Sequence, residues 1–180
     1  MHSLITRTLV VGLVFACSIA HAQLSEFSTG PLIKDFGKNA TVSGVKIDPD
    51  SKFNIAFDVG APAEVGTINR RFDSLARFLN MHVAAGVKPE NIRLALVVHG
   101  KASKDMLNHE AYQKAHNKAN PNVALLQELM AHNVDVILCG QTARAYEINR
   151  SQLVKGATIA LSAMTAHAQL QQQGYTVNPF

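Results

Sequence analysis

The chain has 180 residues, a formal net charge of +4, 47% hydrophobic residues, no tryptophan and two cysteines. That is enough for one domain with a proper core. Its basic residues are scattered, with no run beyond Arg70-Arg71, and its few tyrosines do not interleave with them, which argues against nucleic acid as a partner.

Met1 to Arg7 is short and carries one positive charge, Thr8 to Ile19 is almost wholly apolar, and Ala20-His21-Ala22 has the small-x-small pattern of a cleavage site. Residues 1–22 therefore read as a signal peptide with a mature start at Gln23, which predicts a periplasmic or secreted protein with no membrane association after cleavage. An uncleaved anchor is one alternative. A lipid-modified Cys17 is another, disfavoured by the bulky Phe15 before it. No later segment reaches the roughly 18 apolar residues of a transmembrane helix. Cleavage removes Cys17, so Cys139 is the one thiol of the mature chain. It cannot form an internal disulfide, and is buried and inert, engaged between chains, or a working thiol.

Residues 23–52 carry the breakers Gly30-Pro31, Gly37 and Asp48-Pro49-Asp50, and read as an irregular arm with a short strand at Ala40 to Val45. Regular structure follows over 53–180. Phe53 to Val59 suits a strand. Val65, Ile68, Phe72, Leu75, Ala76, Leu79 and Val83 mark one face of a helix that Gly86 ends. Ile92 to Val98 is a near-continuous apolar run, as expected of a strand covered on both faces. Lys101 to Ala119 is polar with short helical pieces. Asn120-Pro121 starts a helix with Val123, Leu126, Leu129 and Met130 inward. Val134 to Leu138 is a third strand, with a short helix after Thr142. Ala157 to Leu161 is a fourth strand, Ser162 to Gln173 a helix capped by Gly174, and Tyr175 to Val177 a terminal strand. This alternation predicts a single α/β domain, a mainly parallel sheet of about five strands flanked by helices on both faces.

In open α/β sheets ligands bind outside the carboxyl ends of the strands. Those ends carry Asp58, His99-Gly100, Cys139-Gly140-Gln141-Thr142 and Ser162. A cysteine near a helix start is favoured as thiolate, though cysteine also commonly fills cores. His99 is the candidate ion-pair partner or proton donor for Cys139. Gly140 leaves room for an incoming group, and Gln141 and Thr142 offer hydrogen bonds to an anionic sulfur. Asp58 either orients His99 or, the favoured reading, caps the next segment, and Ser162 reads as a helix N-cap rather than a nucleophile. No H-x-x-x-H pair, zinc pattern, G-x-G-x-x-G, P-loop, C-x-x-C or G-x-S-x-G occurs. His109 and His116, seven apart near Glu110, are the nearest approach to a metal site, and no metal site is assigned.

Several motifs occur together and in order: Ala76-Arg77-Phe78-Leu79-Asn80-Met81-His82 with Ala85-Gly86-Val87; Val97-Val98-His99-Gly100; Asn120-Pro121-Asn122; Val136-Ile137-Leu138-Cys139-Gly140-Gln141; Leu161-Ser162-Ala163-Met164-Thr165-Ala166; and Gln173-Gly174-Tyr175. Together they resemble the DsrE/DsrF-like family, particularly its exported members, over roughly Phe53 to Phe180. The resemblance implies a small α/β domain assembling as a homo-oligomer, a trimer or a hexamer. Cytoplasmic relatives act in sulfur oxidation and in sulfur relay to RNA, and in some of them a cysteine carries a persulfide. Here that role falls to Cys139. The expectation is an exported sulfur carrier or sulfurtransferase-like protein without a cofactor, with Cys139 and His99 as its catalytic pair and Asp58, Gly100, Gly140, Gln141, Thr142 and Ser162 around the substrate. Its partner would be a sulfur donor or acceptor protein or a small sulfur compound. The alternative is a non-catalytic binding or assembly protein holding a small anion or a soft metal such as Cu(I) at the same edge.

Overall fold

The computed structural model describes residues 26–178. In chain order it contains β1 (Phe53–Val59), α1 (Arg70–Ala84), β2 (Ile92–Val98), α2 (His109–His116), α3 (Asn122–Ala131), β3 (Asp135–Cys139), α4 (Gly140–Ala145), β4 (Thr158–Ala160), α5 (Ala163–Gln172) and β5 (Thr176–Asn178). The strands form one sheet in the order β4-β3-β2-β1-β5, and every neighbouring pair is parallel. The expected leader and Cys17 lie outside the described residues. Among the described residues no helix is long and apolar enough to cross a membrane.

Side chains alternate across each strand, so the two faces can be read separately. Phe57, Val59, Leu94, Leu96, Val98, Val136 and Leu138 pack with Phe72, Leu75 and Leu79 of α1 and Leu125, Leu126 and Leu129 of α3. The opposite face is built from smaller residues. Ala56, Ala95 and Val97 meet Ala166 and Leu170 of α5, with Ile137 and Ala160 at the margin. Alanine on both sides lets α5 lie close to the sheet, and α5 begins where β4 ends.

Helix α1 starts at Arg70, later than its apolar spacing predicts, because Asn69 is the cap and its side chain accepts from the Arg71 N–H. The residues before it are held as a loop. Asp105 Oδ2 accepts from the Ala63 N–H (2.8 Å) and from Asn69 Nδ2 (2.8 Å), and Tyr112 Oη accepts from the Gly66 N–H (3.1 Å). Asn122 Oδ1 accepts from the Asn69 N–H, while Asn120 Nδ2 donates to the carbonyls of Asp105 and Leu107. This buried net joins β1's exit, the 3₁₀ turn Gly100–Met106 and the start of α3. Its residues sit in stretches that read as plain loop and helix start.

Burial pushes the Asp105 carboxyl up, and the Ala63 N–H, the Asn69 amide and the His116 charge offset this only in part. A carboxyl raised in this way contributes stability below its unfolded value of about 3.9 and loses it as the pH rises through the folded value. Asp105→Asn keeps the acceptor oxygen and removes the charge. It is expected to stabilise the protein at neutral pH by about 1 kcal/mol and to flatten that part of the pH dependence, measured by urea unfolding. An unchanged or lower midpoint at neutral pH counts against the assignment.

The arm forms no strand at 40–45. Its one ladder contact among the described residues is an isolated antiparallel bridge between Ser28 and Asn39. It follows α1 instead, with Ile33 fully buried in the core.

Candidate functional site

The alternation that separates the faces also assembles the site. Asp58 follows Ala56 at the end of β1, and His99 follows Val97 just beyond β2, where the extended backbone continues the ladder by donating its N–H to the Val59 carbonyl (3.0 Å). Cys139 follows Ile137 as the last residue of β3. All three therefore point to the α5 face at the carboxyl edge. The start of α5 forms the fourth side with Ser162, Ala163, Met164 and His167, and the cavity, which opens to solvent, measures about 320 Å³. A larger open cleft of about 840 Å³ lies at the opposite edge, between residues such as Glu90, Arg93 and Asp135. No thiol lines it, and the strand ends that carry Asp58, His99 and Cys139 face the smaller cavity.

Cys139 is both the end of β3 and the N-cap of α4, which begins at Gly140 and not near Thr142 as its sequence suggests. The residue is almost fully covered, at 6% exposure. Burial pushes its thiol up. The Thr142 hydroxyl and N–H, with the N–H groups of Ala163 and Gln141, act on the sulfur in the other direction and leave it below its ordinary value. Thr142 Oγ1 also accepts from the Gly100 N–H at 3.0 Å, which fixes the hydroxyl with its proton free for the sulfur.

Asp58 is not a cap. One of its oxygens accepts from His99 Nε2 (3.1 Å) and the other from His167 Nε2 (2.8 Å). Burial raises its carboxyl, and the two histidine N–H groups outweigh that and hold it below the usual range. An ionised carboxylate only accepts, so each Nε2 carries the proton it donates. The polarising groups on Cys139 are thus Thr142 and backbone N–H groups, while His99 is held on Asp58 across the same cavity. Gly60 makes room for that ring, since a Cβ there would lie 2.6 Å from His99 Cε1.

The glycines serve the frame, not an incoming group. Gly100 has φ +54° and spends its N–H on Thr142. A Cβ on Gly140 would meet the Ala160 carbonyl oxygen at 2.4 Å, so its bareness lets α4 start against β4. Gln141 lines the cavity but donates its side-chain amide to the Leu161 carbonyl (3.2 Å). Ser162 is the N-cap of α5 and accepts from the Thr165 N–H at 3.0 Å. His109 lies on α2 and away from the cavity.

His167 is the residue that reading along the strands misses. Its Nδ1 is buried with no hydrogen-bond partner among the described residues. A signal was present: Ala163, Ala166, His167 and Leu170 share one helical face, and a histidine among small apolar residues there has to meet something polar at the sheet.

Fold and site together define a small parallel α/β protein with one polarised thiol and a bridged histidine pair at the carboxyl edge of its sheet. A model of the DsrE/DsrF-like family matches residues 52–179, and the chain belongs to that family. Among solved structures it is similar to a Methanobacterium thermoautotrophicum protein of unknown function, with TM-score 0.53 and 14% identity over 72% of this chain and 100% of that one. It is also similar to the ychN protein from E. coli, with TM-score 0.47 and 23% identity over 71% of this chain and 99% of that one. No curated protein sequence matches the chain significantly.

Proposed function

We propose that the protein is an exported sulfur-handling protein, in which the Cys139 thiolate accepts a sulfane sulfur, holds it as a persulfide and passes it on. The observation that carries this reading is the hydrogen bonding around Cys139. The hydroxyl and N–H of Thr142 and the N–H groups of Ala163 and Gln141 favour an anionic sulfur inside a cavity large enough for a small donor. Membership of the family supports sulfur as the cargo. On this reading residues 1–22 are the export leader, residues 23–52 an arm on the domain, and the working form a ring of identical chains. The imidazoles of His99 and His167, both held by the Asp58 carboxylate, are the proton-bearing groups of the cavity.

Two measurements test it. Intact mass after exposure to a persulfide donor is expected to show one added sulfur on wild type and none on Cys139→Ser. Alkylation of Cys139 against pH is expected to have its midpoint below the roughly 8.5 of free cysteine. In Thr142→Val the midpoint moves up and the rate at neutral pH falls about tenfold, the worth of one hydrogen bond to a charged acceptor. No sulfur on wild type, or equal addition to Cys139→Ser, overturns the reading.

A further inference from the structure

The charge census of the cavity carries a statement about the donor, resting on the sulfur-handling reading. None of the nine residues lining it is lysine or arginine. Its ionisable groups are Asp58, the Cys139 thiol and the imidazoles of His99 and His167. With the thiolate formed and both imidazoles protonated, the two positive charges are cancelled by the carboxylate and the sulfur. With either imidazole neutral the site is negative. With Asp58 ionised, no protonation state of the imidazoles gives a cavity holding the working thiolate a net positive charge.

Several of its hydrogen-bond donors are also committed. The N–H groups of Gln141, Thr142 and Ala163 act on the sulfur of Cys139. The Gly100 N–H is taken by Thr142, the Thr165 N–H by Ser162, and the Gln141 amide by the Leu161 carbonyl. That leaves no lysine, no arginine and no free side-chain amide to receive a second anionic group. The approach is apolar instead: Met164, on the cavity wall, is 80% exposed and the adjacent Leu161 72%.

We infer that the site takes sulfane sulfur from small donors with an uncharged, apolar tail, of the class of alkyl hydropersulfides, and discriminates against donors whose tail is anionic. In the step, the Cys139 thiolate attacks the outer sulfur of R–S–SH. The Sγ–S bond forms as the S–S bond of the donor breaks, and RS⁻ departs. The proton on the transferred sulfur passes to RS⁻, leaving the Cys139 persulfide anion and RSH. The donor is reduced to its thiol as Cys139 is oxidised to the persulfide, and no further oxidant is required.

The test compares propyl hydropersulfide with 2-sulfonatoethyl hydropersulfide, which carry the same reacting group. Rates of sulfur addition to Cys139, followed by intact mass, are divided by the rates of the same donors with N-acetylcysteine. The normalised preference for the propyl donor is expected to be at least about tenfold at low salt. Met164→Arg, which puts a cation at the exposed rim, is expected to narrow that preference severalfold. Equal normalised rates in wild type overturn the inference while leaving Cys139 as a sulfur acceptor. A preference unchanged by Met164→Arg removes its electrostatic cause. Addition from neither donor overturns the sulfur-handling reading as well.

Discussion

Gly140→Ala is expected to cost about 2–3 kcal/mol of stability and to move the Cys139 alkylation midpoint up toward that of free cysteine. The cause is one close approach. The new Cβ would lie 2.4 Å from the Ala160 carbonyl oxygen and 3.0 Å from that of Leu161. Both are backbone atoms that cannot rotate aside. Cys139 is paired with Ala160 in the β3–β4 ladder, and β4 is only three residues long, so it is the element that gives way. Displacing it moves the Ala163 N–H away from the sulfur, and tilting the start of α4 moves the N–H groups of Gln141 and Thr142. Both effects withdraw what holds the thiol below its ordinary value. Urea unfolding gives the first quantity, through a lower midpoint at constant slope, and the pH profile of alkylation gives the second. A variant with wild-type stability and an unmoved profile would show that the β3–α4 junction does not hold the site.

The frame of this site is largely legible in the chain, because buried parallel strands announce themselves. Phe53–Val59 and Ile92–Val98 are apolar runs ended by a polar group, and both strands have those limits in the structure. Knowing that strands end together places Asp58, His99 and Cys139 at one edge, and alternation then puts all three on one face. What the chain withholds is how these groups are partnered. Asp58 reads as a cap because capping is a local habit of aspartate, whereas its partners are 41 and 109 residues away. Gly140 reads as space for a ligand because its contact with Ala160 depends on the register of β4. Local patterns report periodicity and turn chemistry, while tertiary hydrogen bonds are set by which elements become neighbours. The arm is the extreme case. Residues 40–45 read as a strand, yet they lie largely exposed with no strand beside them to pair with.

The same reasoning singles out Asn80 as the residue that joins arm to domain, and Asn80→Asp is expected to cost about 3 kcal/mol or more at neutral pH. Asn80 is fully buried on α1. Its Oδ1 accepts from the N–H groups of Leu32 (3.1 Å) and Ile33 (2.7 Å), and its Nδ2 donates to the carbonyls of Ile33 (2.9 Å), Phe36 (2.9 Å) and Gly37 (3.2 Å). One amide thus satisfies five backbone groups of a segment without secondary structure to satisfy them. Aspartate has the same shape and keeps the two bonds to Oδ1. It replaces the donor with an oxygen facing three carbonyls, so repulsion is added to the loss. The arm cannot adjust at that point. Gly37 has φ +69°, its N–H is held by Asp73 Oδ1 at 2.7 Å, and a Cβ there would meet the α1 backbone at 2.3 Å from the Ala76 carbonyl carbon. The arm therefore lifts as a unit and takes Ile33 out of the core, which frees the backbone at Lys34 and Lys38, whose side chains are already exposed, to enter trypsin. Faster cleavage at those two lysines, together with a destabilisation that shrinks in acid as the new carboxyl regains a proton to donate, is the expected signature. Loss of stability without faster cleavage would place the damage within α1. Unchanged stability would mean that the arm is held by the burial of Ile33 alone.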